Sequence, residues 1–208
     1  MPTKMIDNIH WLGHDGFYAA GSKVVYFDPW EISGGPKADV ILITHEHFDH
    51  CSPADVEKIS TPSTVVITEE LSACKLQGTV VVLKPTESTT VHGIKVTAVP
   101  SYNTDKQFHP KEKEWLGFIV ELDGVKIYHA GDADFIPEMK NLNVDIALIP
   151  VSGTYVMNVD QAIEAARAIK PKIAVPMHYG KIVGSEDDAK KFAAALKNEM
   201  TVVVKKKE

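Results

Sequence analysis

The stretch His45-Glu46-His47-Phe48-Asp49-His50 places three imidazoles and the Asp49 carboxylate within six residues. Imidazole nitrogen and carboxylate oxygen suit zinc, manganese or iron, whereas soft copper and iron–sulfur sites call for thiolates. His45 and His47 alternate along an extended run and can both point at one ion. Asp49 and His50, set by the turn beyond, can serve a neighbouring ion. Four ligands do not fill two sites, so further donors must come from elsewhere in the chain. Asp132 ends a Gly-turned strand, His178 ends the apolar run Ile173-Ala174-Val175-Pro176-Met177, and either His109 or His14 can supply another imidazole. An ordinary polar loop would account for the cluster alone, but not for the further His and Asp residues at strand ends.

These donors need a scaffold that brings strand ends together. Residues 38–44 form an apolar run that reads as a buried strand with the cluster at its C-terminal mouth. Ser52-Pro53 reads as the start of a helix through Ile59. Upstream, residues 6–12, 17–20 and 23–28 read as strands, with turns at His14-Asp15-Gly16 and Gly21-Ser22. Downstream, strands are expected at 64–68, 79–83 and 144–149, a short helix at 69–76, and hairpins turned at His92-Gly93 and Asp123-Gly124. Asn158 is expected to cap a helix over 159–169. A strand at 172–177, a helix from Ser185 through Lys197 and a strand at 201–204 complete the chain. Residues 101–115 show no periodicity, and binding residues gather in loops carried by a rigid scaffold. There Tyr102, Phe108 and Trp115 are candidates for a pocket wall. Lys106, Lys111 and Lys113 can approach an anion, although a solvated flap is the simpler account of them. Hairpins and strand–helix units in two broadly similar halves imply packed sheets with helices outside. With no tandem repeat or low-complexity linker, residues 1–208 are expected to form one domain.

A chain of 208 residues can bury a core that needs no covalent staples. Cys51 and Cys74 do not make a disulfide framework. Cys51 reads as a residue behind the ligands or as a small core residue. A nucleophilic role lacks any visible means of stabilising its thiolate. No stretch is long and apolar enough to cross a membrane, and residues 1–7 lack a signal peptide's basic and apolar regions, so a cytoplasmic location is expected. The formal charge of -6 and the dispersed lysines argue against a large duplex-binding surface. Lys205-Lys206-Lys207 reads as a solvated tail, too short for a nucleic-acid arm.

The run from Thr44 to His50, with Gly131-Asp132 and Met177-His178-Tyr179, resembles the metallo-β-lactamase fold superfamily. More narrowly, Trp11-Leu12-Gly13-His14, Tyr128-His129-Ala130-Gly131-Asp132 and Pro176-Met177-His178-Tyr179 resemble the small stand-alone metal-dependent hydrolases related to ascorbate-6-phosphate lactonase. The likeness extends from residue 9 to about residue 195. It implies an α+β fold, a four-layer αββα sandwich with a dinuclear site in the groove at its edge. It further implies that His45 and His47 bind the first ion, Asp49 and His50 the second, that Asp132 bridges them, and that His178 completes the second site. The usual position of the remaining first-site histidine falls at Ser101-Tyr102-Asn103. His109, six residues after Asn103, is the preferred substitute and His14 its rival. His129 is expected to hydrogen-bond a ligand, His10 to sit on a strand face and His92 in a turn.

The implied cofactor is a pair of divalent ions, zinc foremost, with manganese, iron or nickel also compatible. Such a pair lowers the pKa of a water, which Asp49 is placed to orient and deprotonate. His14, Thr154, Tyr155 and Tyr179, just beyond core strands, are expected to line the cavity and donate to the substrate or its oxyanion. The expected activity is hydrolysis of a small anionic substrate, by resemblance a phosphorylated lactone. A phosphodiesterase is the alternative, ahead of a ribonuclease or a non-catalytic metal-binding protein. No membrane partner is expected, and a homo-oligomer is compatible with the composition. A β-lactamase proper fits less well, given the cytoplasmic-looking start and the displaced third histidine. A diiron redox role would call for Glu at position 47.

Overall fold

Two sheets assemble from neighbours in sequence, as short connections favour. In the computed structural model, which describes residues 1–140 and 142–208, a short helix α1 (Pro2–Met5) precedes the first sheet. That sheet comprises β1 (Ile9–Gly13), β2 (Gly16–Ala20), β3 (Val24–Phe27), β4 (Val40–Leu42), β5 (Val65–Thr68) and β6 (Thr79–Val82), paired in that order. The second comprises β7 (Ser88–Val91), β8 (Ile94–Pro100), β9 (Leu116–Leu122), β10 (Val125–His129), β11 (Ile146–Pro150), β12 (Ile173–Met177) and β13 (Thr201–Val202), again in order. In each sheet the early strands pair antiparallel and the later ones parallel. The two halves are therefore alike, as the sequence suggested.

Side-chain alternation along the strands produces the layers. Val25, Phe27, Val40 and Leu42 face inward and share a core with Val96, Phe118, Val120 and Ile127 of the second sheet. Tyr26, Ile41 and Ile43 face outward and pack with Val56 and Ile59 of α2 (Pro53–Ile59). α3 (Glu70–Ala73) follows β5 and contacts β6. Every position of β11 and β12 is buried, so the second sheet is covered on both faces. The outer cover is α4 (Val159–Ile169), through Ala162, Ala165, Ala166 and Ile169, and α5 (Glu186–Leu196), through Ala189, Phe192 and Leu196. The result is the four-layer αββα sandwich. Asn158 accepts from Gln161 N while the Gln161 side chain returns to Asn158 N, closing the expected cap of α4.

Several expectations change: residues 6–8 form a 3₁₀ turn ahead of β1, and the last strand ends at Val202. The strand over 38–44 shortens to Val40–Leu42, flanked by Asp39, whose carboxylate takes the Val24 amide and Lys23 ammonium. The helix over 69–76 shortens to Glu70–Ala73, its start set by the Glu69 carboxylate, which accepts from Leu71 N and Ser72 N. The largest change is at Lys205-Lys206-Lys207, which is docked rather than a free tail. After β13 the chain crosses to the first sheet, where Lys207 pairs with Trp11 and Glu208 N donates to Trp11 O at 3.0 Å. Strand β1 is the edge of its sheet, and unpaired edge groups attract such a segment.

Strand ends from both sheets meet at one rim of the sandwich. There Leu116 N donates to Thr44 O at 3.0 Å and His178 N to His14 O at 3.1 Å, tying sheet to sheet. Gly131 turns the chain at this rim with φ +61°, and a Cβ there would stand 2.8 Å from Leu116 O and 3.2 Å from Thr44 Cβ. A Gly131→Ala variant is expected to lose about 1–3 kcal/mol of stability and to displace Asp132. Denaturant unfolding together with metal content by elemental analysis checks both effects.

Candidate metal centre

Each cluster residue is delivered by a strand end or the turn after it. His45, His47, Asp49 and His50 follow β4, Asp132 follows β10 and His178 follows β12. His109 comes from the loop after β8, and His14 and Asp15 from the β1–β2 turn. Three groups of donors form among the described residues. The nitrogens of His45, His47 and His109 lie within 4.8 Å of one another, as do the donor atoms of Asp15, His50, Asp132 and His178 and the nitrogens of His14, His50 and His178. His109 thus stands with His45 and His47, while His14 lies on the other side of the site. Asp132 lies between the groups, Oδ1 at 3.3 Å from His50 Nε2 and Oδ2 at 3.2 Å from both His109 Nε2 and His178 Nε2. Asp49 is nearer the rim. Its Oδ2 is 3.1 Å from His14 Nε2 and 3.9 Å from His50 Nε2.

Contacts behind the imidazoles settle which nitrogen faces the site. Asp28 accepts from Thr44 N at 2.8 Å and from Thr44 Oγ1 at 2.7 Å. The Thr44 hydroxyl has then given its proton away, so it accepts from His45 Nδ1 at 2.9 Å. His50 Nδ1 donates to Asp28 Oδ2 at 2.8 Å. His109 Nδ1 lies 3.2 Å from Tyr155 O and His178 Nδ1 2.7 Å from Ser152 Oγ. In all four rings Nδ1 is engaged from behind and Nε2 faces inward, the arrangement by which outer partners orient metal-binding histidines. Trp115 supports the first group, its ring centroid 4.8 Å from His45 and 4.7 Å from His47. His14, Asp28 and His178 adopt left-handed backbone at φ 52°, 40° and 60°. Such conformations are costly for non-glycine residues and recur at functional sites.

The electrostatics are those of a site short of positive charge at its centre. Burial opposes ionisation of Asp132, but His178, His50 and His109 outweigh it and hold the carboxyl well below the usual carboxylate range. Burial likewise opposes the charge on His50, yet Asp132 and Asp28 raise it well above an ordinary histidine. Burial and the neighbouring His50 keep His45 well below the usual value, and burial lowers His47 and His14 as well. His50 Nε2, His109 Nε2, Asp132 Oδ1 and both oxygens of Asp15 are buried without a hydrogen bond among the described residues. An unsatisfied buried polar atom costs roughly 1–3 kcal/mol, and here several converge. Ligand atoms about 2.05 Å from a tetrahedral ion are themselves about 3.3 Å apart, close to the spacings around Asp132. The donor set therefore fits divalent cations.

Other sequence expectations fall out unevenly. Tyr179 is buried, its ring 4.8 Å from Trp11, and with His14 it lines a cavity of about 510 Å³ beside the second group. Tyr155 contributes its carbonyl to His109 and Asn103, and Thr154 is exposed. His129 Nε2 donates to Asp15 O at 2.9 Å, touching the backbone of a cluster residue. Lys106, Lys111 and Lys113 are engaged by Asp134, Glu138 and Glu46. Cys51 is buried, and burial raises its thiol pKa. Asp15, Asp28 and Ser152 escaped the sequence reading. Asp28 at a strand end before Pro29 was the legible signal, whereas Asp15 looked like a turn residue.

Residues 8–178 match the family described as the beta-lactamase superfamily domain. The chain belongs to that superfamily. Within it, the chain is 37% identical over 206 residues to the UPF0173 metal-dependent hydrolase of Thermoplasma acidophilum, covering 89% of each chain. It is 33% identical over 216 residues to that of Pyrococcus abyssi, covering 95% and 96%. A crystal structure from Parabacteroides distasonis superposes with a TM-score of 0.84 at 36% identity, over 95% of this chain and 91% of that one. Igni18, a metallo hydrolase from Ignicoccus hospitalis, shares the fold with a TM-score of 0.75 at 22% identity, over 94% and 93%. Superfamily membership and the converging donors rest on independent observations and agree.

Two outcomes follow from the charges. An Asp28→Asn variant is expected to bind metal about 10–100-fold more weakly, measured by chelator competition. Because Asp132 and Asp28 raise His50 well above an ordinary histidine, metal uptake is expected to be accompanied by proton release. Calorimetry in buffers of different ionisation enthalpy counts it.

Proposed function

We infer that the protein is a hydrolase that uses two divalent ions on a small anionic substrate. The carrying observation is the pair of donor groups that meet at Asp132. In this reading His45, His47 and His109 would hold one ion, His50, His178 and Asp49 the other, and Asp132 would serve both. Zinc heads the compatible metals, before manganese, iron and nickel. When bound, the ions would acidify a water and polarise the bond it attacks.

The chain's own residues do the rest. Burial opposes ionisation of Asp49, but the hydrogen bond with His14 prevails and keeps its pKa lowered. A charged carboxylate at the rim is suited to take a proton from the water. His14 Nε2, 3.1 Å from Asp49 Oδ2, holds that carboxylate in place. Burial pushes the Tyr179 hydroxyl up to about 12, so it stays protonated at neutral pH and can donate to an oxyanion.

The cavity supports an anionic substrate. Trp11, Trp30 and Tyr179 give it aromatic walls, and lysines surround its mouth. Lys181 pairs with Glu31 at 2.8 Å, and Lys190 pairs with Asp187 at 3.2 Å. Lys206 and Lys207 make no ion pair among the described residues, and the stem of Lys207 crosses over Gly13, next to His14. A phosphorylated lactone matches both features: a ring for the aromatic walls and a phosphate for the free ammonium groups. Two ions at Asp132 would also suit a phosphodiester, which remains the second reading.

The test is turnover of lactones and phosphodiesters, each with and without a phosphate monoester, by the metal-loaded protein. Lys207→Ala is expected to raise KM for phosphorylated substrates about tenfold, equal to about 1.4 kcal/mol, and to leave kcat and neutral substrates unchanged. A KM rise shared by neutral substrates would remove Lys207 from anion recognition. His109→Ala should reduce bound metal from two ions to one by elemental analysis.

A further inference from the structure

We propose that Asp15 is a ligand of the second metal ion. The inference rests on the two-ion reading above and adds a residue to it. Six carboxylates are buried among the described residues: Asp15, Asp28, Asp55, Glu69, Asp132 and Asp134. Asp28 is satisfied by Thr44 and His50, Asp55 by Ser52, Lys58 and the Glu31 amide, and Glu69 by Leu71 and Ser72. Asp134 takes the Thr104 amide and Lys106, and Asp132 takes His178. Asp15 alone has neither oxygen hydrogen-bonded among the described residues, although it is fully buried.

Local geometry aims it. The register between β1 and β2 slips between Trp11 and Gly13, and a bulge beside a turn redirects side chains. Gly13 at φ 103° and His14 at φ 52° then swing Asp15 inward. Gly16 closes the turn where a Cβ would stand 3.2 Å from Asp28 O. The carboxylate ends with its donor atom within 4.8 Å of those of His50, Asp132 and His178, and Oδ2 3.9 Å from His50 Nε2. A buried carboxylate this close to a second one needs a shared proton or a cation between them.

With Asp15, the second site offers two carboxylates and two imidazoles, against three imidazoles and the shared Asp132 at the first. The more oxygen-rich set favours a harder ion. Manganese should therefore prefer the second site and zinc the first. Asp49, held by His14, is correspondingly freer to act on the water.

The experiment compares wild type, Asp15→Asn and His109→Ala by manganese binding and by thermal unfolding with and without metal. Asp15→Asn is expected to weaken the second manganese at least tenfold and leave the first unchanged. It should also melt no lower than wild type when metal-free, since no side-chain hydrogen bond of Asp15 is lost, yet gain less on metal addition. A merely structural Asp15 would instead lower the metal-free melting temperature and leave metal affinity intact, which overturns the proposal. Wild type holding a single ion that Asp15→Asn weakens tenfold supports Asp15 and overturns only the two-ion reading. A single ion untouched by Asp15→Asn overturns both. His109→Ala, keeping one manganese that the added Asp15→Asn change weakens, isolates the second site.

Discussion

A carboxylate sealed among imidazoles from two different sheets is the constraint around which this molecule is arranged. Asp132 is buried and meets His50, His109 and His178 at 3.2–3.3 Å, while Asp15 adds a second buried carboxylate nearby. Taking such charges out of water costs several kcal/mol each, and hydrophobic packing cannot return that directly. The surrounding sandwich supplies the stability, and the site draws on it. The ties between Thr44 and Leu116 and between His14 and His178 hold the two rims at the separation the donors require.

Positioning is achieved behind the donor side chains rather than at them. One carboxylate, Asp28, orients His50 directly and His45 through the Thr44 hydroxyl. Ser152 and the Tyr155 carbonyl do the same for His178 and His109. The loop that carries His109 is itself held by Asp134, which receives the Thr104 amide and Lys106. His14, Asp28 and His178 all take left-handed backbone, so part of the fold's stability is spent holding turns that the residue types do not favour.

The cavity beside the second group owes Lys205, Lys206 and Lys207 to tertiary docking. Trp11 forms part of an exposed sheet edge, and the chain after β13 pairs with it, setting Lys206 and Lys207 at the cavity wall. Aromatic walls and unpaired ammonium groups are suited to a ring bearing a negative charge. The same contacts join the last strand of one sheet to the first strand of the other, so the cavity wall and the closure of the sandwich share residues. No helix among the described residues is long and apolar enough to cross a membrane.

The residues legible in one dimension were those with chemistry and spacing of their own. His45, His47, Asp49 and His50 follow an apolar strand, and Asp132 and His178 end two more, because a strand's periodicity and its end are local properties. The paired halves and the αββα layering followed from the order of strands and helices for the same reason. The choice between His109 and His14 could not be made locally. Sequence distance says nothing of which side of a site a loop approaches from, and the two rings lie in different donor groups. Asp15 read as a turn residue because a β-bulge and two positive φ angles, not its identity, point it inward. The lysines at 205–207 read as solvent-facing because polarity is local, whereas the edge of β1 that captures them lies nearly two hundred residues away.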